Sequence, residues 1–204
     1  MSRLEEKDIS NLEKFYRKNL INSLSGYKSA NLIGTVSANQ VPNLAVFTSV
    51  HHIGANPPLF GFNVRPATVP RHTYENILNN SFFTINHIDE NHYKQAHEAS
   101  ARYRKDVSEF DMVGLTPEYS STHPAPYVEE SAVKIGLQLE EFHKIKANNT
   151  TLVVGRIIEL IIPDRFIRPD GTVRLEKLGV VTVSGLDTYH STHELAKLPY
   201  AKPR

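Results

Sequence analysis

The chain has 204 residues, of which 40% are hydrophobic and 22% charged, and its formal net charge at pH 7 is +1. Such values are ordinary for a globular protein with one sizeable core. The scattered Lys and Arg residues give no reason to expect nucleic acid as a partner. The chain lacks cysteine, so disulfides, thiolate metal ligands and a cysteine nucleophile are excluded.

Membrane insertion and secretion are not indicated by the sequence either. The charged start of the chain lacks the apolar core of a secretory signal. No apolar run approaches the ~20 residues of a membrane span. We therefore expect a cytoplasmic protein without membrane contact.

The first predicted element is an amphipathic helix over about 10–24. Gly26 follows the helix as a stop signal. Five apolar residues share one face of this helix: Leu12, Phe15, Tyr16, Leu20 and Leu24.

Short β-rich runs occupy the first half of the chain. We predict strands at 31–38, 44–51, 59–64 and 82–88. The pair Pro57-Pro58 forms a turn between the second and third of these strands. A short helix is predicted to begin at Thr73, whose side chain would cap it.

The second half of the chain contains two long β-rich runs, 132–145 and 150–163, and a last strand at 179–185. Before them, 89–105 has helix-forming composition, while 106–130 is predicted to be irregular. No internal repeat or low-complexity linker interrupts this order.

These elements predict one all-β domain over residues 1–204, with mostly antiparallel strands and short peripheral helices. Closure of the sheet into a barrel would remove its exposed edges. The barrel would span about 28–190, after the N-terminal helix at about 10–24 and before a C-terminal tail at 191–204.

The segment Asn43–Ile77 carries the clearest functional signal. A strand with two hydroxyl side chains, Thr48 and Ser49, precedes a second apolar strand and a basic loop that opens into a helix. Four side chains surround the predicted helix start: Arg65, Thr68, Arg71 and Thr73. Unpaired N–H groups and the helix dipole attract anions at such a start, so the pattern indicates a phosphate attached to a flat group. The alternative is a surface loop with two solvated arginines and a helix cap.

Several motifs follow one another in order along the chain. They are Asn43 to Ser49 (NLAVFTS), Pro57-Pro58, Leu59 to Val64, Arg71-His72-Thr73, Asn76-Ile77, Phe82 to Asn86, Phe110 to Pro117, Glu130 to Val133 and Leu152 to Ile157. This ordered set, which covers about 28–190, resembles the flavin reductase-like family of FMN-binding, flavoredoxin-like split barrels. The resemblance implies a Greek-key-like split β-barrel.

The resemblance also implies a bound FMN and assigns residues to each part of it. The isoalloxazine ring would lie along four residues of one strand: Val46, Phe47, Thr48 and Ser49. Asn63 would reach the ribityl chain. The phosphate would be held by the four residues at the helix start: Arg65, Thr68, Arg71 and Thr73.

The flavin of this family usually lies at a homodimer interface, so the resemblance implies a homodimer as well. Some contacts to the flavin would then come from the partner chain. Candidates for these contacts are Tyr189, His190 and the 119–127 loop.

The chemistry that the resemblance implies is that of an NAD(P)H-dependent oxidoreductase. Electrons would pass from the reduced nicotinamide through FMN to oxygen, to a free flavin or to a partner protein. We predict no catalytic side chain, because the chain shows no triad or carboxylate dyad.

We predict no metal site, because His190 and His193 have no further ligand at a recognisable spacing. Two alternatives stay open: a flavin-binding carrier without NAD(P)H oxidation of its own, and a barrel that binds another phosphate, such as pyridoxal phosphate.

Overall fold

A computed structural model of the chain describes residues 1–203. Strands dominate within that range, which confirms the predicted fold class. The strands are β1 (Lys28–Ser29), β2 (Asn31–Val36), β3 (Pro42–Phe47), β4 (His51–Ala55), β5 (Pro58–Val64), β6 (Phe82–His87), β7 (Pro117–Glu118), β8 (Tyr127–Val128), β9 (Lys134–Ile145), β10 (Thr150–Ile161), β11 (Thr182–Ser184) and β12 (Thr188–His190).

The helices are short and lie outside the main sheet. They are α1 (Glu6–Asn11), α2 (Lys14–Leu24), α3 (His72–Asn80), α4 (Tyr93–Glu98) and α5 (Glu109–Val113), with 3-10 turns at Asp164–Phe166 and Leu175–Leu178. No helix within residues 1–203 is long and apolar enough to cross a membrane.

The main sheet has seven antiparallel strands in the order β3-β2-β6-β9-β10-β5-β4. Strands β3 and β4 are consecutive in the chain but stand at opposite ends of this order, so the sheet must curl until its edges approach each other. Ser49 joins the two sides: its Oγ accepts from the backbone N–H of Asn63 at 3.0 Å and donates to the Asn63 carbonyl at 3.3 Å. A small sheet of β1, β11 and β12 lies beside this barrel.

Two apolar clusters form the core, one on each face of β2. Leu32 belongs to a cluster with residues of α4, α5 and β11, whereas its neighbour Ile33 belongs to a cluster drawn from β2, β5, β6, β9 and β10. Successive side chains of a strand point to opposite faces, and both faces of β2 are covered, since all six of its residues are buried. This is why its sequence is apolar without a clean alternation.

The N-terminal region differs from the single helix predicted over 10–24. Two helices, α1 and α2, meet near Leu12, because Glu13 begins a new helix there. The Glu13 carboxylate accepts hydrogen bonds from the N–H groups of Phe15 at 2.8 Å and Tyr16 at 2.9 Å, as an N-cap does. In the same way, only Tyr93–Glu98 of the helix predicted over 89–105 is helical.

The helix predicted to begin at Thr73 begins one residue earlier, with Arg71 at the N-cap position. Thr73 is therefore inside the first turn, and the prediction that it caps the helix was wrong. Its buried hydroxyl instead accepts a hydrogen bond from the Asn43 side-chain amide at 3.1 Å. A long-range partner on β3 has replaced the local one.

The strand predicted over 44–51 ends at Phe47, and β4 was not predicted. Residues 48–50 leave the ladder between β3 and β4. β4 is mostly exposed, and its sequence HHIGA has no apolar pattern that would predict a strand. Its pairing with β5 makes it a strand in the structure.

His87, at the end of β6, is half-buried, and one of its ring nitrogens is a buried polar atom without a partner in residues 1–203. Its Nδ1 is shielded from solvent and has no hydrogen-bond partner within the described chain. Burial lowers the pKa of His87 from its usual 6.5 to about 4. The ring is therefore neutral in the folded protein at pH values where the unfolded chain is already protonated.

We predict that replacement of His87 makes the stability of the protein less sensitive to acid. Between pH 6.5 and 4 the unfolded state binds more protons than the folded state, so the free energy of unfolding falls as the pH falls. The loss that His87 causes by pH 4 is about 3 kcal/mol. Urea unfolding at pH 7, 5.5 and 4 should show a smaller decline in His87→Phe than in the wild type. The exposed His52 serves as the control, and equal slopes in His87→Phe and His52→Phe would contradict the prediction.

Candidate functional site

A groove of about 1210 Å³ runs along the closing side of the barrel. Its walls come from β3 and the link to β4, from the end of β5, from the loop before α3, and from the segments around 21–29, 97–103 and 186–187. All predicted site residues except Thr68 line it: Val46, Phe47, Thr48, Ser49, Asn63, Arg65, Arg71 and Thr73. Thr68 lies in the exposed loop that leads from β5 to α3 and does not reach the groove wall.

The link between β3 and β4 lines this groove and contains backbone N–H groups without a backbone acceptor among the described residues. Thr48, Ser49 and Val50 lie outside the strands, and within residues 1–203 their N–H groups donate no backbone hydrogen bond. The Ser49 hydroxyl bonds only to the backbone of Asn63. The exposed Asn63 side chain has no partner in these bonds, and Asn63 lines the groove. Backbone N–H groups without a partner are strong donors, so this wall suits a ligand with acceptor atoms along one edge.

Four cationic side chains line the same groove: Lys28, Arg65, Arg71 and Arg102. None of them forms an ion pair with a carboxylate of the described residues. Sequence reasoning found Arg65 and Arg71 but missed Lys28 and Arg102, which are distant in the sequence and carry no motif. Uncompensated cations that converge on one concave surface favour an anionic ligand.

Arg71 and Lys28 are held in place by carbonyl groups. The Arg71 guanidinium donates from Nε at 3.3 Å and from Nη2 at 3.1 Å to the Pro66 carbonyl. Burial, and then the nearby charges of Arg65 and Arg102, lower the pKa of Arg71. Burial, and then Arg65, lower the pKa of Lys28. The pKa values of both side chains are therefore lowered in part by the charge of Arg65, a third cation of the groove.

The N-terminus of α3 adds to this positive region. Arg71 occupies the N-cap position, and the first hydrogen bond of the helix runs from the Glu75 N–H to the Arg71 carbonyl at 2.9 Å. His72 and Thr73, in the first turn, line the groove. The predicted combination of helix start and arginines is therefore present, although Thr73 already receives one hydrogen bond from Asn43.

One buried carboxyl group, that of Glu109, also lines the groove. Its Oε2 accepts the N–H of Leu44 at 2.9 Å, which satisfies the outer edge of β3. Burial raises the pKa of Glu109, while the Leu44 hydrogen bond and His72 act in the opposite direction. Because burial favours the protonated form, Glu109 opposes an anion in the groove less than an exposed carboxylate would.

The 119–127 loop, one of the two regions predicted to contact the flavin, does not line the groove of its own chain. Glu159 holds this loop by accepting three hydroxyl hydrogen bonds, from Ser120 at 2.8 Å, Thr122 at 2.5 Å and Tyr127 at 2.5 Å. Burial and the Glu159 charge raise the pKa of Tyr127. The loop is thereby fixed on the barrel rather than free to cover the groove.

The C-terminal hairpin, the other region, approaches the groove of its own chain. Leu186 and Asp187, between β11 and β12, line it. Tyr189 lies 3.3 Å from the groove residue His97, from OH to Nδ1, and the His190 Nε2 lies 2.8 Å from the Ser184 hydroxyl.

No group of three or more potential ligands within residues 1–203 is placed to hold a metal ion.

A family model described as a flavin reductase like domain matches residues 24–170. The chain is 46% identical to a protein from Shewanella frigidimarina NCIMB 400, described as a candidate flavin reductase with a split barrel domain. That structure superposes with a TM-score of 0.95, and the match covers 98% of this chain and 100% of the other.

More distant structures share the fold. Nitrilotriacetate monooxygenase component B from Bacillus cereus is 20% identical, with a TM-score of 0.85 and coverage of 97% of this chain and 98% of the other. The flavoredoxin of Desulfovibrio vulgaris (Miyazaki F) is 24% identical, with a TM-score of 0.73 and coverage of 86% and 92%. These likenesses confirm the split barrel.

We predict that Glu109→Gln is tolerated and that Glu109→Leu is not. The glutamine oxygen can still accept the Leu44 N–H, whereas leucine leaves that buried donor unpaired at a cost of about 1–3 kcal/mol. Since the folded pKa of Glu109 is raised, the wild type loses stability as the pH rises from the unfolded value through the folded one, and Glu109→Gln should not show this loss. Thermal unfolding across that pH range measures both effects. Equal destabilisation by the two substitutions would show that the hydrogen bond is unimportant.

Proposed function

The chain belongs to the flavin reductase-like family, and from this premise we propose that it is an FMN-dependent oxidoreductase that accepts electrons from NAD(P)H. The observation that carries the proposal is the pairing, in one groove, of free backbone donors at 48–50 with uncompensated cations. FMN has the matching parts: a flat ring with acceptor atoms along one edge, and a terminal phosphate.

Each part of FMN is assigned to residues in or near the groove. The strand residues Val46 and Phe47 and the link residues Thr48 and Ser49 would receive the ring, and the exposed amide of Asn63 would meet the ribityl chain. Arg65 and Arg71 would hold the phosphate, with the start of α3 and the hydroxyls of Thr68 and Thr73 nearby. Thr68 is the weakest of these assignments, because a movement of its loop is needed to bring it to the groove.

When bound, FMN supplies the hydride and electron transfer. The part of the protein is to orient the ring and to stabilise the negative charge that develops on its reduced form. N–H groups fixed at 48–50 are suited to this, because donors that are already in position need no reorganisation during the reaction. Oxygen, a free flavin or a partner protein would be the electron acceptor.

We further propose that the protein is a homodimer with the flavin near the interface. The support is α2, which has no buried residue and on which Phe15, Tyr16 and Leu24 are each at least 60% exposed. Exposed apolar patches of this kind mark interaction surfaces, and α2 borders the groove through Ile21. Sedimentation equilibrium should give twice the chain mass, and a monomer at micromolar concentration would refute this part of the proposal.

The central test is a visible spectrum of the purified protein, followed by steady-state oxidation of NADH and NADPH with added FMN. The proposal predicts a flavin spectrum, or binding of added FMN, together with turnover. Stoichiometric binding without turnover would identify the protein as a flavin carrier instead. A spectrum of pyridoxal phosphate, or no affinity for FMN, would refute the flavin assignment.

We predict that Arg71→Ala weakens FMN binding by about 1.5–3 kcal/mol, the scale of a charge-assisted hydrogen bond. Riboflavin, which lacks the phosphate, should bind both proteins equally. Arg174→Ala is the matched control, since Arg174 is exposed and lies outside the groove. Fluorescence titration of the apoprotein measures both ligands. Unchanged FMN affinity in Arg71→Ala would mean that the phosphate binds elsewhere.

A further inference from the structure

The groove has more room and more positive charge than one FMN requires. Ligand sites for single small molecules occupy about 300–1,000 Å³, whereas this groove has about 1210 Å³. A phosphate monoester carries a charge of about −2 at most, which Arg65 and Arg71 together balance. Lys28 and Arg102 then remain without an ion-pair partner among the described residues.

Lys28 lines the groove and is held with one hydrogen-bond donor free for a ligand. Its Nζ donates to the Asn22 carbonyl at 3.1 Å and to the Gly185 carbonyl at 2.6 Å. An ammonium group has three donors, so one donor remains free while the other two fix its position. Two neutral partners hold the Lys28 charge without neutralising it, and its half-buried setting strengthens its attraction for an anion.

Two neighbours of Lys28 add other kinds of recognition. Tyr27 lines the groove with 70% of its surface exposed. Its ring meets His190 edge to face, with 4.8 Å between the ring centroids, which holds the ring in place. Asp187 lines the groove two residues after Gly185, in the same turn that supplies a carbonyl to Lys28.

These three side chains match the three parts of an adenosine phosphate. An exposed aromatic ring stacks on a base, a carboxylate accepts hydrogen bonds from ribose hydroxyls, and a lysine binds a phosphate. We propose that Tyr27, Lys28 and Asp187 bind the adenosine phosphate portion of a dinucleotide. The inference rests on the proposed function, because it extends the same groove beyond FMN.

Two dinucleotides share this portion. One is FAD, which would occupy the groove in place of FMN, and the other is the nicotinamide dinucleotide that reduces the bound FMN. In the second case Asp187 also sets a preference. Its carboxylate accepts a ribose 2′-hydroxyl but repels a 2′-phosphate, so NADH should be preferred to NADPH.

The test measures the binding of ADP, FMN and FAD to the purified apoprotein by calorimetry, and the KM for NADH of the FMN-loaded protein. In Lys28→Gln, we expect ADP affinity to fall about tenfold while FMN affinity changes less than about twofold, because glutamine removes the charge and keeps a hydrogen-bond donor. Lys177→Gln, at an exposed lysine outside the groove, should change neither.

The source of the adenosine phosphate follows from the competition pattern. If Lys28→Gln weakens the binding of FAD, and ADP competes with FAD, the groove binds FAD. If Lys28→Gln raises the KM for NADH and ADP competes with NADH, the adenosine belongs to the nicotinamide dinucleotide. Asp187→Asn should then reduce the preference for NADH over NADPH.

Two results would overturn the inference. One is that the wild-type protein does not bind ADP. The other is that Lys28→Gln lowers the affinities for FMN and ADP equally, as expected of a purely structural lysine. The ADP titration needs no flavin. A protein that binds ADP but not FMN would therefore refute the proposed function and support the adenosine phosphate site.

Discussion

The closure of the barrel at Ser49 is the constraint on which the rest of the site depends. Strands β3 and β4 are separated by three residues, yet they stand at opposite ends of the sheet order. The chain can connect them only by leaving the ladder, and its N–H groups then lose their strand partners. The Ser49 hydroxyl instead bonds to the backbone N–H and carbonyl of Asn63 on β5 and so ties the link to the other edge of the sheet. Residues 48–50 also line the groove, so one topological requirement produces a wall that a ligand can use.

The charge of the groove is maintained at a cost to folding. Four cations without carboxylate partners repel one another, and burial disfavours the charged state of Arg71 and Lys28. Backbone carbonyls, rather than acidic side chains, hold these two residues. A carboxylate in the same place would stabilise the free protein and compete with an anionic ligand. Neutral partners hold the two cations without weakening the attraction of the groove for the anionic ligand that we propose.

The sequence was sufficient for features that depend on local order. The strands at 59–64 and 82–88 and the long β9–β10 hairpin were predicted close to their observed bounds, because their composition and pairing agree. Thr73 was misread as a cap because its partner, Asn43, lies thirty residues away in the chain. Lys28 and Arg102 were missed for a similar reason. Neither belongs to a motif, and only the tertiary fold brings them to the groove of Arg65 and Arg71.

The ends of the chain matter more to the groove than the family match suggests. The flavin reductase like domain spans residues 24–170, but Asn22 and Gly185, whose carbonyls hold Lys28, both lie outside it. Asp187 lies outside it as well. The barrel supplies the wall at 48–50, Arg65 and Arg71, whereas α2 and the β11–β12 hairpin hold Lys28 and contribute further lining residues. Sequence changes in these two segments can therefore alter what binds near Lys28 while the closing link of the barrel stays intact. A constant barrel with exchangeable flanking segments is a physical route by which one fold accommodates different ligands.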